Sequence, residues 1–239
     1  MKVDYSNLIR MKLLREMKSG EFSECDKLPR ELELAKQLNV SRNHLREVLA
    51  QLEREGFITR IHGVGTMINH HVMKVTNRMD IEVEFLDIIR QNGHLPGVTH
   101  VHIREEKADK FIAKKLQIPE KTDVMRVSRV CTADGRPAIY CEDVFEKKLI
   151  KEEYTLNDFE PPIFHFLKKC CYIEAYMDLT QLHAVLADKK LSKVLEVPVG
   201  SPLLNMEEVD YDIDGNIVFY SSQYFVDEYF EQTVLRKKL

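Results

Sequence analysis

The stretch Lys27-Leu-Pro-Arg-Glu-Leu-Glu-Leu-Ala-Lys-Gln-Leu-Asn-Val-Ser-Arg-Asn-His-Leu-Arg-Glu-Val-Leu-Ala-Gln-Leu-Glu-Arg54 reads as two short helices broken by a turn. In the first, Leu34, Ala35 and Leu38 fall on one face. Asn39-Val40 interrupts the pattern, and Ser41 is placed to cap a new helix. In the second, Leu45, Val48, Leu49 and Leu52 recur at i, i+3, i+4 and i+7, which makes one apolar stripe. Arg42, Asn43, His44 and Arg46 gather at its N-terminal end, mostly off that stripe. A helix buried on one side, with Arg, Asn and His at its open start, suits insertion into a DNA major groove.

The residues that follow extend this reading. Glu55-Gly56 ends the helix, Phe57-Ile58-Thr59-Arg60 begins a strand, and Ile61 to Ile68 forms a hairpin with Gly63 and Gly65 near its tip. Leu28-Pro29-x-Glu31, Val40-Ser41-Arg42, Leu45-Arg46-Glu47-Val48-Leu49, Leu52-Glu53-x-Glu55-Gly56 and Gly63-x-Gly65-Thr66 appear as five ordered blocks. Together they resemble the GntR family of bacterial transcriptional regulators, over about residues 5–69. The resemblance implies a winged helix-turn-helix. The plainer alternative is an amphipathic helix pair with solvated charges.

At 239 residues, the chain has room for two domains. Its overall charge of −4 gives no sign of nucleic-acid binding, but the charge is uneven. Residues 1–75 hold 13 Lys+Arg against 10 Asp+Glu, so the remainder holds 22 against 29. A basic reader on an acidic body confines DNA contact to one end. Cys25, Cys131, Cys141, Cys170 and Cys171 are odd in number and lack C-x-x-C spacing, which fits a reduced cytoplasmic compartment. No leader peptide or membrane-spanning run is evident, so no membrane partner is expected.

Leu8, Ile9, Leu13, Leu14 and Met17 predict a helix over 5–19 that packs behind the two described. Residues 70–80 lack a clear period and read as a linker. The His70-His71 pair invites a metal, but without a third ligand at helical spacing it reads as solvated loop; no metal or cofactor is expected. A helix follows from Glu82 to near Gly93. The second half repeats itself weakly. Leu116-Gln-Ile-Pro119 recurs as Leu195-Glu-Val-Pro198, and the turn Asp134-Gly135 recurs as Asp214-Gly215. Each Leu copy follows a helical segment, and a β-rich run follows each turn, Pro137 to Phe145 and Ile217 to Val226. Joined by a helical stretch from Pro162 to Lys169, the halves imply one pseudo-symmetric α+β domain.

Val127-Ser-Arg129-Val-Cys-Thr-Ala-Asp134-Gly135-Arg-Pro137, Glu142, Leu195-Glu-Val-Pro198, Val209-Asp-Tyr211-Asp-Ile-Asp-Gly215 and Tyr224-Phe-Val-Asp227-Glu-Tyr229 carry a second resemblance. They are similar to the UTRA effector-binding domain of HutC-type GntR regulators, over about residues 81–239. The expected fold class is therefore α+β: an N-terminal winged helix-turn-helix at 1–69, a linker at 70–80, and a C-terminal chorismate-lyase-like UTRA domain at 81–239.

For DNA, the resemblance points to Arg42 and Arg46, four apart and near one another on the helix. Ser41, Asn43 and His44 join them, and the helix start itself favours a phosphate. In the wing, Gly63 and Gly65 allow close backbone approach, with Arg60 and His62 as weaker candidates. The family pattern Leu-Pro-Ser-Glu-Arg is here Leu28-Pro29-Arg30-Glu31-Leu32. Its DNA-touching arginine is lost at Leu32, and Arg30 is offered as a replacement from another direction.

For the effector, the family's sugar-phosphate responders carry Arg-x-Arg before the DG turn; here the string is Arg129-Val130-Cys131. One arginine implies a carboxylate or a singly held phosphate rather than a dianion gripped from two sides. Arg126 faces the opposite side of the strand. The plainer alternative for Arg129 is a structural pair with Glu142. Thr99, Tyr140, Glu142, Ser222 and Tyr224 complete the expected pocket, with Ser221 nearby and His165, Phe166 and Tyr176 in the core or at the rim. The expectation is a one-component regulator, a repressor, homodimeric on a palindromic double-stranded operator and modulated by a small anionic metabolite. A lyase-like enzyme and a constitutive DNA-binding protein are the rivals. No Ser-His-Asp arrangement or phosphate-cradling glycine loop supports the first. A pocket filled with side chains would support the second.

Overall fold

The computed structural model describes residues 5–238, and the chain divides into two compact units. The first comprises Met1–Glu82 together with Gln232–Leu239; the second is Val83–Glu231. This differs from the expected boundary. The chain's last eight residues and the whole of the expected linker go with the first unit.

In the first unit, α1 (Tyr5–Ser19) buries Ile9, Leu13 and Met17, whereas Leu8 faces outward. α2 (Glu31–Leu38) buries Leu34 and Ala35 and ends at Asn39, which is left-handed at φ 55°. Its amide and that of Val40 turn back to the helix carbonyls of Lys36 and Ala35. α3 (Arg42–Arg54) buries all four residues of the expected stripe. Each such side chain is worth roughly 1.5–3 kcal/mol of burial, so tertiary packing holds this 13-residue helix. The wing is β1 (Ile58–Ile61) paired antiparallel with β2 (Gly65–Ile68). Leu28 N donates to the Thr66 carbonyl at 2.9 Å, which fastens the segment before α2 to the wing. A short helix, α4 (His70–Met73), opens the expected linker, and Asn77 and Arg78 further along it are buried.

The second unit begins with α5 (Phe85–Gln91) and then β3 (Pro96–Lys107), a twelve-residue strand that carries Thr99. α6 (Lys110–Leu116), β4 (Asp123–Ala133) and β5 (Arg136–Glu146) follow. The β4–β5 turn has Asp134 at φ 51° and Gly135 at φ 81°, the paired positive angles that a two-residue hairpin favours. α7 (Ile163–Phe166) runs into a wider π-helical turn at Leu167–Cys171. The second half then repeats the first as β6 (Met177–Leu186), α8 (Lys189–Leu195), β7 (Pro202–Tyr211) and β8 (Ile217–Val226).

The six strands form one antiparallel sheet in the order β3-β4-β5-β8-β7-β6. The two DG turns are 80 residues apart, and Glu142 pairs in register with Ser222, also 80 residues on. The internal two-fold therefore passes through that pair. One face of the sheet packs Val124, Val144 and Tyr220 under α6, and Val130, Tyr140 and Val226 under α8. The other packs Cys131, Ile139, Cys141 and Phe225 under α5, and Met125, Val127, Phe145 and Phe219 under α7 and the π turn.

Candidate nucleic-acid interface and ligand site

The start of α3 is shaped by two local bonds. Ser41 Oγ accepts from His44 N at 3.2 Å, which is the expected N-cap. Glu31, at the first turn of α2, lies 3.5 Å from Arg42 Nε and 3.9 Å from Arg46 Nε. The acid draws the two arginines together while their side chains remain 64% and 60% exposed. Surface ion pairs of this kind contribute about 0–1 kcal/mol, so they orient the guanidinium groups at little cost to releasing them. Arg30 and Asn43 are exposed beside them, as are His62, Gly63 and Gly65 on the wing. Nothing lies within 4 Å of a Cβ placed on Gly63 or Gly65, so the wing tip is open to close approach.

Two of the expected contacts are engaged elsewhere. His44 shares a 2.8 Å hydrogen bond with Ser6 Oγ and sits by the Tyr5 ring. Arg60 is bound by Glu53, through both its backbone N–H and its guanidinium. Leu32, in place of the family arginine, is exposed. Glu31 enters the sequence reading only as a member of the Leu28-Pro29-x-Glu31 block; its contact with the two arginines depends on how α2 packs beside α3. His70, half of the His pair, shares a 3.0 Å hydrogen bond with the Cys25 carbonyl.

In the second unit the six expected ligand residues divide between the two faces of the sheet. Thr99, Val130, Tyr140, Tyr224 and Asn205 lie in one register row, with Glu142 and Ser222 in the next row on the same face. Arg129 points to the opposite face. This rules out the alternative of an Arg129–Glu142 pair. Pleat alternation separates neighbours of odd and even position, and the register sets Arg129 beside Cys141 and diagonal to Asp143. The partner is Asp143, at 2.7 Å.

On the first face the polar groups satisfy one another. Tyr140 Oη donates to Glu142 at 2.9 Å, Lys190 donates to the same carboxylate at 2.9 Å, and Asn205 Nδ2 donates to Ser222 Oγ at 3.0 Å. Burial works to raise the Glu142 carboxyl, but the hydrogen bond and charge of Lys190 outweigh it and hold it below the usual range. Tyr140 stacks on Tyr224 with centroids 6.2 Å apart, and Lys190 lies over the Tyr140 ring. Thr99 is exposed at an irregularity in β3, with its hydroxyl by His100.

The opposite face carries a buried polar row that sequence reading did not assemble. Arg129, only 3% exposed, donates to Asp143 and to the carbonyls of Phe159 and Pro161. Ser221 Oγ donates to Asp143 at 2.6 Å. Gln223 Nε2 reaches Ser221 Oγ at 2.7 Å and Glu208 at 2.6 Å. Gln223 Oε1 is buried with no hydrogen-bond partner, an acceptor without a donor. Burial disfavours the Arg129 charge, and the Asp143 carboxylate together with the neighbouring Cys141 and Cys131 outweighs this, so the guanidinium stays protonated. Cys131 and Cys141 stand next to it; the Cys141 hydrogen bond, then Arg129, lower the Cys131 thiol against its burial. All five cysteines are free. Period-2 spacing put Asp143, Ser221 and Gln223 on one face in principle, but only the β5–β8 register shows that they meet. Of the expected rim residues, Phe166 is core, Tyr176 is exposed and His165 lies 3.7 Å from Glu84.

Among the described residues no helix is long and apolar enough to cross a membrane.

Both parts of the chain match known families. The model of the UTRA domain matches residues 91–231, and that of the bacterial regulatory proteins, gntR family, matches residues 6–68. The chain is 22% identical over 233 residues to the mannosyl-D-glycerate transport/metabolism system repressor MngR of Escherichia coli (strain K12), covering 95% of this chain and 93% of that one. It is 23% identical over 205 residues to the histidine utilization repressor of Pseudomonas putida, covering 82% and 77%. Among solved structures, the possible transcriptional regulator YydK from Bacillus subtilis superposes with a TM-score of 0.77 over 97% of this chain and 99% of that one. At 20% sequence identity, that is a likeness of fold.

Proposed function

The chain belongs to the gntR family of bacterial regulatory proteins and carries a UTRA domain, and from this we propose that it is a cytoplasmic transcriptional repressor, not an enzyme, that acts as a homodimer on a palindromic operator. The observation that carries the DNA-reading half is the exposed pair Arg42 and Arg46, gathered by Glu31 at the capped start of a helix whose other face is buried. A single recognition helix spans few base pairs, and a two-fold protein on a two-fold site doubles the contact. The relatives with assigned roles are titled repressors, which favours repression over activation. DNA selection from a random pool, followed by footprinting, tests this. An inverted repeat protected by a dimer is expected; a protected site without two-fold symmetry contradicts it.

The effector site we propose is the row Arg129, Asp143, Ser221, Gln223 and Glu208. A guanidinium has five N–H donors; Asp143 and the two carbonyls take three of them, and Cys141 takes a further one. What remains suits one anionic oxygen, not a dianion. The two acids and the open acceptor at Gln223 Oε1 suit hydroxyl or N–H donors on the same ligand. A small carboxylate or singly held phosphate bearing such donors is the class expected. Differential affinity for two arrangements of the dimer would then set operator affinity. Thermal-shift screening and calorimetry with hydroxy acids, amino-acid derivatives and sugar phosphates test the class, with Gln223→Leu expected to weaken any hit. A hit insensitive to that change would place the ligand elsewhere.

A further inference from the structure

The chain passes between its two compact units twice, once after Glu82 and again after Glu231. Its returning segment bonds to residues of the DNA-reading unit through Gln232, Thr233, Leu235 and Lys237. Asn77 Nδ2 donates to Gln232 at 2.8 Å. Thr233 N donates to the Asn77 carbonyl at 3.1 Å, Met79 N donates to the Thr233 carbonyl at 2.9 Å, and Thr233 bridges Arg78 in parallel. Leu235 N reaches Asp80 Oδ1 at 3.3 Å. Lys237 Nζ donates to the carbonyls of Glu53 and Arg54, the latter at 3.0 Å. Contact is close: a Cβ on Gly56 would lie 2.3 Å from Leu235 Cδ2.

These bonds converge on the C-terminal end of α3. The last carbonyls of a helix lack internal partners and carry partial negative charge, so a cation there is favourable. Lys237 supplies one to Glu53 and Arg54, and buried Arg78 donates to the Glu55 carbonyl while its guanidinium lies 5.1 Å from the Phe57 ring centroid. Arg78 is itself fixed by Asp80, which the Leu235 amide also holds. The recognition helix is thus capped at its start by Ser41 and held at its end by residues 232–237, which follow β8 in the chain.

We propose that residues 232–237 are a positioning strap for the recognition helix, so that specific operator affinity depends on Leu235 and Lys237 through their hold on the helix end. The inference rests on the reading of α3 as the DNA-contacting helix. Its test uses the full chain, a duplex that the unmodified protein selects from a random pool, and a scrambled duplex of the same length. The double variant Leu235→Asp/Lys237→Ala is expected to bind the selected duplex about tenfold more weakly while scrambled-duplex affinity holds within about twofold. Lys237→Arg alone, which keeps the cation, is expected to bind as the parent does. Hydrogen exchange should quicken across residues 77–80 and the last turn of α3, with melting of the second unit unchanged. Unchanged affinity and exchange in the double variant would overturn the proposal. So would an equal loss on both duplexes, which marks lost charge or lost folding rather than lost positioning. Failure of Arg42→Ala to weaken binding would instead indict the assignment of α3, independently of the strap.

Discussion

Arg129 and Asp143 form a 2.7 Å ion pair inside the second unit, on adjacent strands and diagonal to one another in register. Both side chains are nearly inaccessible. The pair ties β4 to β5, and through Ser221 to β8, at the centre of the six-stranded sheet.

Removing one member should be costly. Asp143→Ala leaves the Arg129 charge buried without its counter-ion, and loss of one partner of such a pair destabilises by about 3–5 kcal/mol. Replacing both, as Arg129→Met/Asp143→Leu, should recover most of that loss. Urea unfolding of the second unit's transition checks both. A single variant as stable as the parent would show that the pair carries no structural weight.

The cap at Ser41 should be separable from any DNA contact. Ser41→Ala removes the acceptor for His44 N and should lower stability of the first unit by about 1 kcal/mol, while Ser41→Asp preserves the cap. Thermal melting without DNA reads this alone. Equal melting of all three proteins would remove the cap from the account.

A pH dependence follows from Asp158. The hydrogen bond from Lys169, then those from Thr155, lower its carboxyl from 3.8 to about 2. A carboxyl whose folded value lies below its unfolded value binds its proton more tightly when unfolded. Its stabilisation is therefore complete above the unfolded value, and is lost as pH falls from about 3.8 towards about 2. Asp158→Asn should melt below the parent at pH 6, and the gap should close by about pH 2. A gap independent of pH would assign the effect to shape instead of charge.

How much was legible beforehand depended on the range of the interaction. The α3 stripe, the Ser41 cap and the Asp134-Gly135 turn depend on residues within a few positions, and the structure places them as the sequence reading does. The repeat at about 80 residues anticipated the two-fold through Glu142 and Ser222. Long-range register was not legible. It sends Arg129 to Asp143 instead of Glu142, parts Arg129 from Tyr140 and Tyr224, and gathers Ser221, Gln223 and Glu208 into one row. β3 was obscured because an edge strand with charged, half-exposed residues lacks a continuous apolar signal. Arg78 read as linker because its burial depends on Phe57 and Glu55, and because residues 232–237, more than 150 positions later, close over the same segment.

The central claim is that α3 reads operator DNA through Arg42 and Arg46. Fluorescence anisotropy with the selected duplex, over a range of salt, tests it most directly for Arg42→Ala and Arg46→Ala. A guanine-reading arginine should cost about 1–3 kcal/mol of specific affinity on removal. A phosphate-bound one should instead make the log–log salt slope shallower by about one, without changing base preference. Parental affinity and salt slope in both variants would contradict the account.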